Sequence, residues 1–334
     1  MGHLMGTDVL YSADIYLEDA GKNIIVEDNV MYDSRYGISI GNEGYGNTDR
    51  VIVRRNVSYN NAVNNFTVGG DPFDTNCVSV DGANDVAMVH NTAFTDTITN
   101  ANSAFSCGSR NRWKNNLFAR PAGSSSSQQY QVQPISVIDP ATWQLDYNLF
   151  HAGTPPNSFQ WPGGVSYNSL AAFQSATGFE THSIEDNPLF VDPTTSRDFH
   201  LQAGSPAIDA GGSLTNTTSA GSGTVVPVAD YRYFTDGFGL EAGDLIRVGA
   251  NAAARVMQVN ETANTLTVDR ALSWNTNDPV SYDYAGNAPD IGAFESGTTV
   301  PSFDFSLPTP SDITLTQGQS GSNTITANLL SGPA

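Results

Sequence analysis

Apolar and polar residues alternate along this chain in short bursts, and the bursts recur. Gly37-Ile38-Ser39-Ile40-Gly41-Asn42-Glu43 places Ile38 and Ile40 on one face of a short strand, then turns and ends in a carboxylate. Asn65-Phe66-Thr67-Val68-Gly69-Gly70-Asp71 and Ala104-Phe105-Ser106-Cys107-Gly108-Ser109-Arg110 carry the same pattern. Superposed, Ile38, Phe66 and Phe105 form one column, Ile40, Val68 and Cys107 a second, and Glu43, Asp71 and Arg110 a third. A second motif joins a strand to a polar residue, an asparagine and an apolar or aromatic pair. It occurs at Ile24 to Tyr32, Val51 to Tyr59, Val86 to Phe94, Trp113 to Ala119 and Gln144 to His151. Its asparagines are Asn29, Asn56, Asn91, Asn116 and Asn148, at intervals of 27, 35, 25 and 32 residues. Only Ser169 to Thr177 reads as a helix, and a short one.

A helix-free repeat of this length, with two or three short strands, buries nothing on its own and must stack on its neighbours. The pattern therefore predicts an all-β chain built as a parallel β-helix. Asparagines at equivalent corners of such a stack hydrogen-bond from layer to layer and tolerate left-handed backbone angles, so their recurrence is structural.

Thr224 to Tyr284 differs in character: TVVPVADYRYF, GDLIRVG, ARVMQVN, NTLTVDRAL and DPVSYDY are alternating strands joined by Gly, Asn and Asp turns, with a hairpin loop at Glu261-Thr262-Ala263-Asn264. They predict a small antiparallel, barrel-like module at the end of the stack, placed to cap its open final turn. Tyr231, Tyr233, Phe234 and Trp274 are either its core or a glycan-contacting surface. Ser296 to Pro310 reads as a Pro/Ser/Thr-rich linker, and Ser311 to Leu330 as one or two strands.

Composition narrows the partners. The 334 residues carry 34 acids against 14 lysines and arginines, a formal charge of -20. Such a chain repels nucleic acid and anionic membranes, and it has no apolar run long enough to span a bilayer. Cys77 and Cys107 have no metal-site spacing; they read as buried small residues, with a disulfide left open. His90, His151, His182 and His200 are scattered without ligand spacing. The opening Met1-Gly2-His3-Leu4-Met5 has no signal-peptide regions and starts partway through a repeat, which predicts a fragment of a longer chain.

The runs IIVEDNVMYDSRYGISIGNE and VIVRRNVSYNN, with DNPLFVDPTTSRDFHLQAGSPAIDAG at Asp186 to Gly211 and DIGAFE within Pro289 to Glu295, resemble secreted bacterial right-handed parallel β-helix proteins related to pectate lyases. The resemblance covers roughly residues 8–212 and resumes at 289–295, so the closing motif is split by the antiparallel insert. The expected organisation is a right-handed β-helix over 1–213, the insert over 214–288, a return over 289–297, and over 298–334 a linker with the start of a truncated immunoglobulin-like module. The resemblance implies a secreted or cell-surface protein acting on polysaccharide, a monomer within a larger multidomain chain.

The third column carries the candidate chemistry. In a parallel stack Glu43 and Asp71 would lie roughly 5 Å apart, the separation of the acid and nucleophile in a retaining glycoside hydrolase. Alternatively Asp19, Glu43, Asp71 and Asp74 would hold calcium, and Arg110 would abstract the α proton of a uronate, as in a polysaccharide lyase. Tyr16, Ser39, Thr67 and Asn42 form a polar floor with one ring to stack on a sugar. A non-catalytic adhesin would use the same stack without the chemistry.

Overall fold

The structure, a computed structural model, describes residues 13–18, 21–41, 48–68, 83–96, 101–105, 108–120, 130–134, 140–153, 159–161, 165–297, 304–306 and 328–331. Up to residue 185 the chain visits three parallel sheets in rotation. Sheet A contains β1 (Ala13–Glu18), β4 (Tyr36–Gly41), β7 (Asn64–Val68), β10 (Ala101–Phe105), β13 (Tyr130–Pro134) and β16 (Phe159–Trp161), with β17 (Val165–Tyr167) added antiparallel. Sheet B contains β2 (Gly21–Glu27), β5 (Thr48–Arg54), β8 (Asn84–Val89), β11 (Arg112–Lys114) and β14 (Gln144–Asp146). Sheet C contains β3 (Val30–Tyr32), β6 (Val57–Tyr59), β9 (Thr92–Phe94), β12 (Leu117–Arg120), β15 (Leu149–Ala152) and β18 (Ile184–Glu185).

The register follows the apolar columns where β4 meets β7: Ile38 pairs with Phe66 and Ile40 with Val68. It departs from them at β10, where Ser103 pairs with Phe66 and Phe105 with Val68, two residues from the expected alignment. A two-residue slip leaves every residue on the same face, so alternation could not distinguish the two registers. Gly37 is required where it stands: a Cβ there would come within 2.0 Å of Ser58 Oγ and 2.6 Å of Asn65 O.

The corner between sheets B and C is built by the asparagines. Asn56 donates from its backbone and its side-chain amide to Asn91 Oδ1, both at 3.0 Å, and Asn91 repeats this toward Asn116. Asn29 and Asn116 do the same toward Asn56 and Asn148. Each amide also donates to strand carbonyls, as Asn91 does to Val53 and Val89. The residue before each asparagine (Asp28, Arg55, His90, Asn115 and Tyr147) takes a left-handed φ of 53° to 58°. His90 is buried there, with Nδ1 on the Asp290 carbonyl and Nε2 taking a bond from Asn115; burial lowers its pKa to about 4, so it is a neutral structural residue.

The ladder ends on an acid. Leu149 pairs with Ile184, which puts Ser183 at the next ladder position, and Ser183 Oγ accepts from Asn148 N at 2.8 Å. The Asn148 amide turns instead to the Glu180 carboxyl at 2.9 and 3.1 Å. Glu180 is fully buried, and burial pushes its pKa up to about 8.

The main core lies between the sheets and runs through Ile38, Val53, Phe66, Met88, Trp113, Phe118, Phe150 and Phe159. The helix α1 (Leu170–Thr177) closes it: Ser169 caps the N-terminus, Gly178 ends it at φ 75°, and Phe173 stacks on Phe159 with centroids 5.2 Å apart. The outer face of sheet C is covered by β19 (Phe190–Asp192), β20 (Asp198–Leu201) and the two closing motifs, whose Ala207, Ile291 and Ala293 pack on Val57, Phe94, Leu117 and Leu149. Asp209 and Asp290 lock these motifs, since Asp290 Oδ1 accepts from Asp209 N at 2.7 Å and Asp209 Oδ1 from Asn287 N at 2.8 Å.

The antiparallel sheet comprises β21 (Thr215–Asn216), β22 (Gly221–Pro227), β23 (Leu245–Val248), β24 (Ala254–Asn260), β25 (Thr265–Trp274) and β26 (Pro279–Tyr282). Its core takes in Ala87 and Val89 of β8. The insert therefore lies along the outer face of sheet B and does not cap the final turn, where α1 already closes the core. Tyr231, Tyr233, Phe234 and Trp274 are buried within it and serve as packing. A separate C-terminal unit contains β27 (Asp304–Ser306) and β28 (Asn328–Ser331), an antiparallel pair. Cys77 and Cys107 lie outside the described residues.

Two outcomes test this account. Asn91→Ala removes an acceptor and a donor from a dry corner and is expected to cost about 3 kcal/mol in denaturant unfolding. Glu180 binds its proton more tightly folded than unfolded, so its contribution is complete below pH 4.5 and is lost as pH rises through about 8. Thermal melts from pH 5 to 9 should show this loss, and Glu180→Gln should flatten it.

Candidate functional site

Sheet A brings three of the expected residues into one row. Tyr16 pairs with Ser39 and Ser39 with Thr67, on adjacent parallel strands. Alternation with the interior Ile38 and Ile40 turns this row outward. Tyr16 is 44% exposed and Ser39 half-buried, whereas Thr67 is buried, with Asn64 Nδ2 donating to its hydroxyl at 3.3 Å. The floor is thus open at Tyr16 and Ser39 and closed at Thr67. Asp19, Asn42, Glu43, Asp71 and Asp74 lie outside the described residues, so the carboxylate row and the calcium set carry no geometry here. Among the described residues no three His, Cys, Asp or Glu side chains converge as metal ligands.

Arg110 is placed elsewhere. It is not at the end of a sheet A strand but two residues before β11, at φ 58°. The column it joins is Asn23, Arg50, Asp85 and Arg110, all with left-handed φ between 52° and 65°. The shifted register of β10 and the short link to β11 carry it from sheet A to the lip of sheet B. There its guanidinium spans Asp85, with Nη2 2.8 Å and Nε 3.0 Å from Oδ2.

Asp85 is the centre of a charged cluster. Arg112 lies 3.4 Å and Arg232 3.0 Å from its Oδ1, and Arg112 also binds Asp230 at 2.5 Å. Arg50 bonds Glu261 and lies over the Tyr231 and Phe238 rings at 5.1 and 5.3 Å. Burial opposes ionisation of Asp85, but the Arg110 hydrogen bond and the charges of Arg232, Arg112 and Arg110 outweigh it and hold its pKa below the ordinary value. Asp49 is shifted the other way, by burial and then by the neighbouring Asp85 charge. Two carboxyl groups with divided titration are the pattern of an acid–base pair. Here, however, three arginines occupy the ionised member, and two of the residues around it, Asp230 and Arg232, come from the insert. The chemistry this arrangement performs is clamping.

The clamp extends along sheet B. Arg54 bonds Glu27 and the buried Asp244, both at 2.6 Å, beneath the Tyr282 ring. Lys114 Nζ donates to Ser213 O at 2.6 Å, and burial lowers its pKa. Tyr233 OH donates to Gln144 Oε1 at 2.9 Å. Among the described residues, sheet B is thus occupied by the insert and sheet C by the closing motifs, and neither of these covers the outer face of sheet A.

Asp85 and Asp230 did not stand out in the sequence, although a signal for the first was present. Six residues before each of the first four ladder asparagines stand Asn23, Arg50, Asp85 and Arg110, so the ladder itself aligns Arg110 with Asp85. Asp230, in the insert, has no such marker. No protein-family model, curated protein or solved structure matches this chain.

The two ends of the clamp should respond differently to mutation. Asp85→Asn leaves the buried Arg112 short of charge and should cost about 3 kcal/mol, with earlier proteolysis within residues 214–288. Arg110, whose side chain is 46% exposed, should lose no more than about 1 kcal/mol on Arg110→Gln. Denaturant melts with timed proteolysis check both.

Proposed function

We propose that this chain is a right-handed parallel β-helix of an extracellular, polysaccharide-active protein, with the glycan lying along the outer face of sheet A. One observation carries the reading: among the described residues, of three parallel sheets only this one has an outer face covered neither by the insert nor by the closing motifs, and it presents Tyr16 beside Ser39 in register. A tyrosine ring offers an apolar face to the C–H side of a sugar and a hydroxyl to its rim. Successive strands offer successive contacts at roughly 4.8 Å.

Cleavage, in this reading, belongs to Glu43 and Asp71. One carboxylic acid protonates the leaving oxygen, and the other carboxylate attacks the anomeric carbon or activates water. Calcium-assisted β-elimination is the competing chemistry, with Asp19, Glu43, Asp71 and Asp74 as the oxygen ligands. It would need a base other than Arg110, whose guanidinium is engaged by Asp85. That engagement favours a second reading, a glycan-binding adhesin, in which the charged residues hold modules together and the open face only binds.

A panel of neutral and uronate polysaccharides, with and without calcium, separates these. Reducing ends without an unsaturated product indicate hydrolysis, and calcium-dependent ultraviolet absorbance of unsaturated uronate indicates elimination. Binding alone indicates the adhesin. In each case Tyr16→Ala should weaken glycan binding roughly tenfold, or about 1.4 kcal/mol. A chain that binds no glycan, or binds unchanged after Tyr16→Ala, overturns the assignment of sheet A.

A further inference from the structure

The last residue of β12 is a cation in the interior. Alternation along Leu117, Phe118, Ala119 and Arg120 sends Leu117 and Ala119 to the outer core of sheet C and Phe118 to the main core, so Arg120 shares the inward side. It is 3% exposed. Its Nε, Nη1 and Nη2 are all buried without a hydrogen-bond partner. Every other fully described arginine with a buried guanidinium in sheets B and C has an acid: Arg50 has Glu261, Arg54 has Glu27 and Asp244, and Arg112 has Asp85 and Asp230. Past the neighbouring strand Asp96 stands two residues beyond Phe94, the partner of Ala119, and is committed to Arg197 at 2.8 Å.

A guanidinium does not shed its proton to escape this position. Burial alone lowers the pKa of Arg120, with no carboxylate acting in the other direction. The residues flanking it on the neighbouring strands are small. Ala152 pairs with Arg120, and Thr95 follows Phe94, the partner of Ala119. The fork therefore carries five donors without acceptors.

We propose that Arg120 is a binding site for a small inorganic oxyanion of the sulfate or phosphate class, held by the guanidinium fork at the end of β12. Two parallel N–H donors match two oxygens of such an anion, a geometry a monatomic ion cannot use as fully. The site is independent of the glycan face, since neither Tyr16 nor Ser39 takes part.

The test is titration of the full chain with inorganic sulfate, with chloride as the comparison, followed by thermal melts and calorimetry of the wild type and Arg120→Met. Salt screens the net charge of the chain in both proteins alike, so the difference between them carries the result. The wild type should show a saturable rise of several degrees with sulfate, a smaller one with chloride, and one bound sulfate by calorimetry. Arg120→Met should show only the shared screening response and should melt higher than the wild type in anion-poor buffer. A wild type with no saturable response, or an equal response in both proteins, overturns the proposal. So does an Arg120→Met chain that fails to fold or melts lower in anion-poor buffer, because the guanidinium would then be satisfied within the protein; the wild-type titration stands whichever way the variant behaves.

Discussion

The corner between sheets B and C is the place where this architecture could fail, and a side-chain amide prevents it. A chain that turns sharply in a dry interior strands backbone N–H and C=O groups, each costly if unpaired. An asparagine supplies an acceptor to the layer before and donors to the layer after, and so satisfies its own turn and its neighbour's at once. Asn56, Asn91, Asn116 and Asn148 are almost wholly buried because nothing else is needed there. The interior columns, the left-handed residue at each corner and the termination at Ser183 and Glu180 all follow from keeping that line continuous.

Lateral packing then obeys a different rule on each face. Sheet C offers apolar residues outward and is covered by apolar closing motifs. Sheet B offers Arg54, Arg112 and Lys114 around Ala87 and Val89, and is covered by a module whose own acids and rings meet them. Charges this deep stabilise little in net terms, because desolvation consumes much of their attraction. They do fix orientation: a module shifted along sheet B would leave Asp244 facing no arginine and Arg112 facing no acid. The insert is held in place by specificity as much as by burial.

How much of this could be read beforehand varied with the kind of constraint. The ladder was legible because one residue type must recur in one column. So was the helix after Ser169, and the hairpin at Glu261 to Asn264, where Asn264 takes a φ of 52°. The register of β10 was not, because a slip of two preserves alternation. The seat of the insert was hidden for another reason: Arg54 and Asp244 are 190 residues apart, and an isolated arginine at the end of a strand reads as a solvated charge. Arg110 shows both effects: a degenerate pattern aligns it with sheet A, and its partner Asp85 stands 25 residues away on sheet B.

The stretch from the left-handed residue at or near the start of each sheet B strand, through the asparagine, to the third residue beyond it on sheet C has one fixed length: Asn23 to Tyr32, Arg50 to Tyr59, Asp85 to Phe94, Arg110 to Ala119. All of the variation in spacing falls on the remaining segments, those that enter and leave sheet A. The protein therefore behaves as a set of interchangeable cassettes with elastic joints. Insertions can accumulate at the joints without disturbing a hydrogen bond of the spine, and a new contact surface can evolve there at little structural risk. Within a cassette, the loss of a single residue would throw the asparagine out of line and break the stack above and below it.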